Sequence, residues 1–397
     1  MTTAFDPSKI KNKNQFFEVI RKYTIFIAFF VIAGLFQILT NGILLMPQNV
    51  NNLIQQNSYI LILAIGMLLC IITGGNIDLS VGSVVAFIGA ISAKLCVVGK
   101  MGPWTTIVIV LLIGIGIGAM NGYFIAYRRV PSFIATLAGM LIFRGLTLVT
   151  LAGRTLAPFP KEYQIVSTGF LPDFMNFEGL HLSSVIIGIV LCPIILFFQI
   201  KGRREKIKFN VSVQSLPAFA LKQFCICVAI LLFAFWLARY AGIPSVLVLL
   251  VILYGIYEFF TTRTVPGRHL YALGGNSLAA ALSGVKTKQL LFFAFTNMGF
   301  LSAVAGIVFA GRLNAATPKA GSGFELDAIA ACYIGGASST GGFGTVSGAI
   351  IGGLIMGLLN NGMSIMGINV DWQQAIKGVV LLLAVLLDIS FRNKSSK

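Results

Sequence analysis

Apolar residues fill this chain in blocks of roughly 17 to 25, and short polar or glycine-rich stretches separate one block from the next. The blocks are apolar all round, not on one stripe, as membrane-crossing helices are. Spans are predicted over 24–45, 59–76, 105–126, 131–152, 182–200, 222–240, 244–260, 289–311 and 371–391. A further segment leaves TGGNIDLSVGS (73–83) and runs to about 99. The stretch 324–362 is long enough to enter and return only as a hairpin broken at GGASSTGGFG (335–344). The expected fold is therefore an all-α polytopic membrane protein of about 10–12 transmembrane helices.

Charge orients this scheme. Lys and Arg number 29 against 12 Asp and Glu, for a net charge of +17, yet charged residues are only 10% of the chain and mean hydropathy is +0.91. Such a balance marks cytoplasmic loops, not a nucleic-acid surface. Lys9, Lys11, Lys13, Arg21 and Lys22 place the N-terminus inside, and Arg392, Lys394 and Lys397 place the C-terminus there too. Tyr127-Arg128-Arg129 and KGRREKIK (201–208) are further inside signals, and the latter is also suited to anionic membrane lipid. The reading is one membrane domain over 24–391, between a cytoplasmic segment 1–23 and a tail 392–397, with a cytoplasmic loop at 261–288. The start is long, polar and basic, so no cleavable signal is expected.

Two glycine-rich breaks, 73–83 and 335–344, each join an inward to an outward helix, and GGNIDLSVGSVVAFIGA and GGFGTVSGAIIGGLIMG bear some likeness. Irregular backbone at membrane depth survives where it lines water or is enclosed by protein. Paired interruptions in two halves point to a transport path. Asn76, Asp78, Ser80 and Ser83, with Ser338, Ser339 and Thr340, are thus candidate pathway or gate residues. Asp78 and Ser80 are equally suited to cap a helix start, and both roles can hold together. Arg144, mid-span in LIFRGLT, needs a partner, and Asp78 is a candidate. Glycines at four-residue spacing, such as Gly344, Gly348 and Gly352, suit close helix packing.

Other chemistry is missing from the sequence. It has no GxxxxGK[ST], HExxH or GxSxG, and only two histidines, His181 and His269. No catalytic residue, metal site or cofactor is expected on this chain. The six cysteines lack CxxC spacing and lie mostly in apolar blocks, as reduced packing residues do.

YALGGNSLAAALSGVKTKQ (271–289) lies in an inside loop yet is poor in charge. Leu273, Ala279, Ala280, Leu282 and Val285 are expected on one apolar face of a short helix bounded by Gly274, Gly275 and Gly284. An exposed apolar helix there calls for a partner protein or for packing on its own membrane domain.

ITGGNIDLSVGS, PSFIATLAGMLIFRG, YALGGNSLAAALSGV and GFELDAIAACYIGGASSTGGFGTVSGAIIGG resemble the permease subunits of bacterial sugar ABC importers of the ribose/xylose/galactose branch. The likeness runs from about residue 40 onward; the basic inside loop with two added spans, and the C-terminal run from Arg312, bring it nearest to the xylose permeases. It implies an inner-membrane permease for a monosaccharide, D-xylose above others, working as a homodimer. ATP and Mg would sit on a separate ABC ATPase subunit, and a periplasmic sugar-binding protein would deliver the substrate. It also implies that Gly275, Asn276, Ala279, Ala280, Ser283 and Gly284 belong to the helix that meets the ATPase. Ser277 and Leu278 stand where members often carry an acidic residue. The residues themselves leave two alternatives: an ion- or proton-coupled secondary transporter acting alone, and a channel without energy coupling.

Overall fold

The computed structural model describes residues 25–174, 180–210, 213 and 215–395. The expected segment 1–23 lies outside these residues, as do the last two positions of the tail. In chain order the helices are α1 (Ile25–Leu39), α2 (Pro47–Ile72), α3 (Val81–Ala93, prolonged by a π turn Lys94–Val98), α4 (Pro103–Ala126), α5 (Ser132–Leu151) and α6 (Lys161–Thr168). Then follow α7 (Leu182–Lys208), α8 (Leu216–Ala238), α9 (Ser245–Arg263), α10 (Val265–Gly275), α11 (Ser277–Leu282), α12 (Thr287–Leu313), α13 (Phe324–Ile334), α14 (Val346–Ile365) and α15 (Val370–Ser395). Two isolated β-bridges, Leu156 with Ala316 and Phe170 with Pro244, tie loops together. Nine of the described helices are long and apolar enough to cross a bilayer. The protein is an all-α, multi-pass membrane protein.

α2 begins twelve residues earlier than the apolar pattern predicts. Pro47 opens it, where a missing N–H costs nothing. Its polar first half is hydrogen-bonded within the protein: Asn51 Nδ2 donates to the Pro47 carbonyl at 3.1 Å, and Asn57 Nδ2 to that of Leu53 at 2.9 Å. Asn49 Nδ2 donates to Asn361 Oδ1 of α14 at 2.9 Å. α2 forms the axis of the bundle: 83% of its most apolar window is buried, against 17% for α7 and 11% for α8. The α7–α8 hairpin therefore lies on the periphery of the chain.

The bundle contains one arrangement twice. α2 is followed by a non-helical stretch 73–80, then α3, α4 and α5; α12 is followed by a non-helical stretch 314–323, then α13, α14 and α15. α12 packs on α3 and α4, and α2 packs on α13 and α14. α2 and α12 are antiparallel, with Gly66 against Met298 and the Cys70 thiol near the Ala294 carbonyl. α13 runs parallel to α2, since the Tyr59 ring stacks on Phe324 and the Cys332 thiol meets the Ala64 carbonyl at 3.3 Å. α3 runs parallel to α12, with Gly306 against Ile88 and Gly89 against Ala310. The two sets thus traverse the bundle in opposite senses, as inverted repeats of transport proteins do. GGNIDLS (74–80) and GSGFELD (321–327) occupy matching places, and the backbones of Gly82 and Gly321 meet. In chain order the counterpart of 73–80 is therefore 314–323, not 335–344.

Candidate transport pathway and coupling loop

Where α2 ends, three glycine-bearing segments converge. The Gly342 N–H donates to the Ile72 carbonyl at 3.0 Å, and the Ser339 carbonyl lies against Gly75. Gly341, at φ +85°, abuts the backbone of Gly74; a side chain there would meet both a left-handed conformation and a neighbouring main chain. Gly274, at the end of α10, completes the junction. A Cβ on it would overlap the Ile72 carbonyl oxygen and the Gly342 nitrogen. The Tyr271 hydroxyl donates to the Gly344 carbonyl at 2.9 Å, and burial holds that phenol above its usual pKa, so it remains a donor. The loop that carries α10 and α11 is in main-chain contact with the last residue of α2, just ahead of the first break, and with Gly342 of the second.

Within the first break, Asp78 is buried and its Oδ1 accepts from the Ser80 N–H at 2.8 Å and the Ser80 hydroxyl at 2.6 Å. Asn121 of α4 donates to that hydroxyl at 3.1 Å. Asn76 turns back to Thr73, its Nδ2 at 3.2 Å from Oγ1, and Ser83 is buried in the first turn of α3. Asp78 therefore closes an Asx turn just ahead of α3; the residue at the helix start, Ser80, makes no side-chain cap, so the capping expected of the pair is not made. Arg144 is not its partner. That guanidinium donates to the Ala320 carbonyl at 2.6 Å, in the other non-helical stretch. In the second break the Ser338 and Thr340 hydroxyls lie 3.1 Å apart, and the Thr340 N–H donates to Ser338 Oγ at 3.2 Å. The second break meets the first where Ser339 and Thr340 lie against Gly75 and Gly341 against Gly74.

The short helix α11 is built by local rules. Asn276 caps it, its Oδ1 accepting the Ala279 N–H at 2.9 Å. Gly284, at φ +82°, ends it; its N–H donates to Ala281 and that of Val285 to Ala280, each at 3.0 Å, a Schellman closure. The expected single apolar face is divided: Leu273 and Ala280 point inward, whereas Leu282 is 82% and Leu278 71% exposed. Ala280 thus anchors α11 to its own protein, and the two leucines face away. Removing the cap with Asn276→Ala is expected to weaken α11 by about 1 kcal/mol, seen as faster amide exchange over 277–284 with the long helices unchanged.

An ionisable group absent from the sequence reading lies at the start of α13. Asp327, 5% exposed, accepts from the Lys377 ammonium of α15 at 3.0 Å, and Glu325 sits two residues earlier with Oε2 buried against Gly82 of α3. The signal available was Gly323 followed by two acids in a helix's first turn, ahead of the apolar AIAACYI.

A multi-pass helical bundle with opposed repeats, interrupted helices and a loop in contact with the end of α2 and with the second interruption has the architecture of a membrane transporter. The family described as branched-chain amino acid transport system / permease component matches residues 49–385, and the chain belongs to it. It is 38% identical over 387 residues to the xylose transport system permease protein of Haemophilus influenzae, covering 97% of this chain and 99% of that one. The Escherichia coli K12 xylose transport system permease protein is 40% identical over 358 residues, 90% of this chain and 88% of its own. The ribose import permease protein of E. coli K12 is 34% identical over 340 residues, 86% and 85% of the two chains. No solved structure matches.

Proposed function

We propose that this chain is the permease subunit of an ATP-binding-cassette importer that carries a monosaccharide, D-xylose above others, across the bacterial inner membrane. Identity of 38% and 40% to two xylose permeases over most of their length, against 34% to a ribose permease, supports that sugar. The observation that carries the mechanism is the contact of the α10–α11 loop with the end of α2, where the first break begins, and with Gly342 of the second break. A separate ATPase, holding ATP and Mg, would push on the exposed α11 residues Leu278, Leu282, Asn276, Ala279, Ser283 and Gly284. Gly274 and Gly275 would pass that displacement to Ile72 and Gly342, and so to the segments bearing Asn76, Asp78 and Ser338 to Thr340. Both termini would lie inside, a second copy would complete the path, and a periplasmic binding protein would load it. Affinity resides in that binding protein, and a weak permease site releases sugar once delivered.

The test is the pair Leu278→Glu and Leu282→Glu made together. Membrane insertion is expected to be unchanged, because neither side chain is packed, while ATPase co-purification falls at least about tenfold, as when an apolar anchor is lost from an interface core. Undiminished co-purification would defeat the docking role of α11. Uptake by this chain alone, abolished by a proton uncoupler, would favour a secondary transporter.

A further inference from the structure

α7 does not stop where its apolar block ends. The sequence closes that span at 200, whereas the helix runs on through the basic stretch to Lys208. Phe197, Lys201, Arg204 and Lys208 follow one another at i, i+4, i+7 and i+11, an exposed stripe on one face. Phe197 and its neighbour Phe198 are both exposed, and the cations begin one turn later. At about 1.5 Å per residue the cations span about 10 Å, enough to cross a headgroup layer of roughly 5–8 Å. The stripe is held in place by α8. Gly188 lies against Ala234, the Cys192 thiol is 3.8 Å from the Cys227 carbonyl, and the Arg203 guanidinium lies over the Phe219 ring at 4.9 Å. Lys222, exposed, follows Phe219 by one turn.

Over 201–222 six basic residues face a single acid, Glu205. Two ordinary uses account for part of this charge. Lys206 and Lys208, in the last turn, complement the helix dipole, and an excess of Lys and Arg orients neighbouring spans. Neither calls for an aligned stripe that starts at exposed aromatic side chains, with Lys201, Arg203 and Arg204 ahead of the last turn. A phosphodiester that carries acyl chains matches both parts. Its anionic oxygens accept from the ammonium and guanidinium groups, and its chains lie along Phe197 and Phe198. A free phosphate would use the cations and leave the aromatics unused. We propose that the C-terminal end of α7, braced on α8, is a binding surface for anionic phospholipid, with Lys201, Arg204 and Lys208 as its headgroup contacts. Arg203, stacked on Phe219, fixes the angle at which the stripe is presented. This surface is independent of the sugar and of the importer reading.

The full chain in a neutral detergent is titrated with phosphatidylglycerol and, separately, with phosphatidylcholine of the same acyl chains; native mass spectrometry counts the bound lipid. Phosphatidylglycerol is expected to bind at least about tenfold more tightly, a preference that falls with added salt. Each Lys or Arg near an anionic surface is worth about fivefold in affinity. The triple variant Lys201→Gln, Arg204→Gln and Lys208→Gln should therefore lose at least about tenfold and bind the two lipids alike. Arg128→Gln, Arg129→Gln and Arg263→Gln together remove as many exposed cations elsewhere, and should change the preference less than about twofold. Equal binding of the two lipids by the wild-type chain, or an equal loss in both triple variants, overturns the proposal. So does displacement of the lipid by inorganic phosphate, which would mark a site for free anions, or by the co-purifying ATPase, which would assign the stripe to that protein.

Discussion

Gly274→Val is expected to abolish sugar uptake and lower the thermal stability of the detergent-solubilised protein. At this position a Cβ overlaps the Ile72 carbonyl and the Gly342 nitrogen, both main-chain atoms, the first on a fully buried residue. No side chain can swing away to make room, so the backbone of α2 or of the second break must shift. Overpacking of this kind costs roughly 1–3 kcal/mol, and more where backbone is displaced. Gly116→Val in α4 is the control, since its Cβ position meets no atom within 4 Å. It should stay within about 1 kcal/mol of the parent. Wild-type uptake and unfolding temperature in Gly274→Val would show that the three segments are not held as described.

Lys377→Met is expected to have the second large effect. It leaves the Asp327 carboxylate, 5% exposed, without the ammonium that faces it at 3.0 Å. Breaking a buried pair by removing one partner costs about 3–5 kcal/mol, because an uncompensated charge remains. The double variant Asp327→Asn with Lys377→Met removes both charges and should recover much of that loss. Thermal unfolding of the two single variants and the double one measures the coupling. Equal, additive losses would mean that the pair does nothing as a pair.

The class of fold was legible because a run of apolar residues leaves few structural choices. The breaks were legible because Gly74, Gly75, Gly341 and Gly342 interrupt such runs. The capping of α11 by Asn276 and its closure at Gly284 follow from local rules that need no tertiary information. Long-range pairing was not legible. Asp78 and Arg144 are opposite charges in apolar surroundings, but each is satisfied nearer at hand, by Ser80 and by the Ala320 carbonyl. The first half of α2 reads as a polar loop because its asparagines look solvated, whereas they bond to helix carbonyls and to Asn361. Glu325 and Asp327 were overlooked for a related reason: they fall in a stretch that resembles a surface loop, and only the likeness of GSGFELD to GGNIDLS marks it as the start of a buried helix. The split face of α11 also needed the fold, because helical period alone does not say which of Ala280 and Leu282 faces inward.

The central claim is that force applied at α11 reaches the broken helices and moves sugar. The most direct test is D-xylose uptake into proteoliposomes holding this chain with its co-purifying ATPase and binding protein, with ATP on the ATPase side. The account predicts uptake that requires ATP, ignores a proton uncoupler, and disappears in Leu278→Glu with Leu282→Glu while the protein stays inserted. Equal uptake without the ATPase, or uptake undisturbed by that double change, would contradict it.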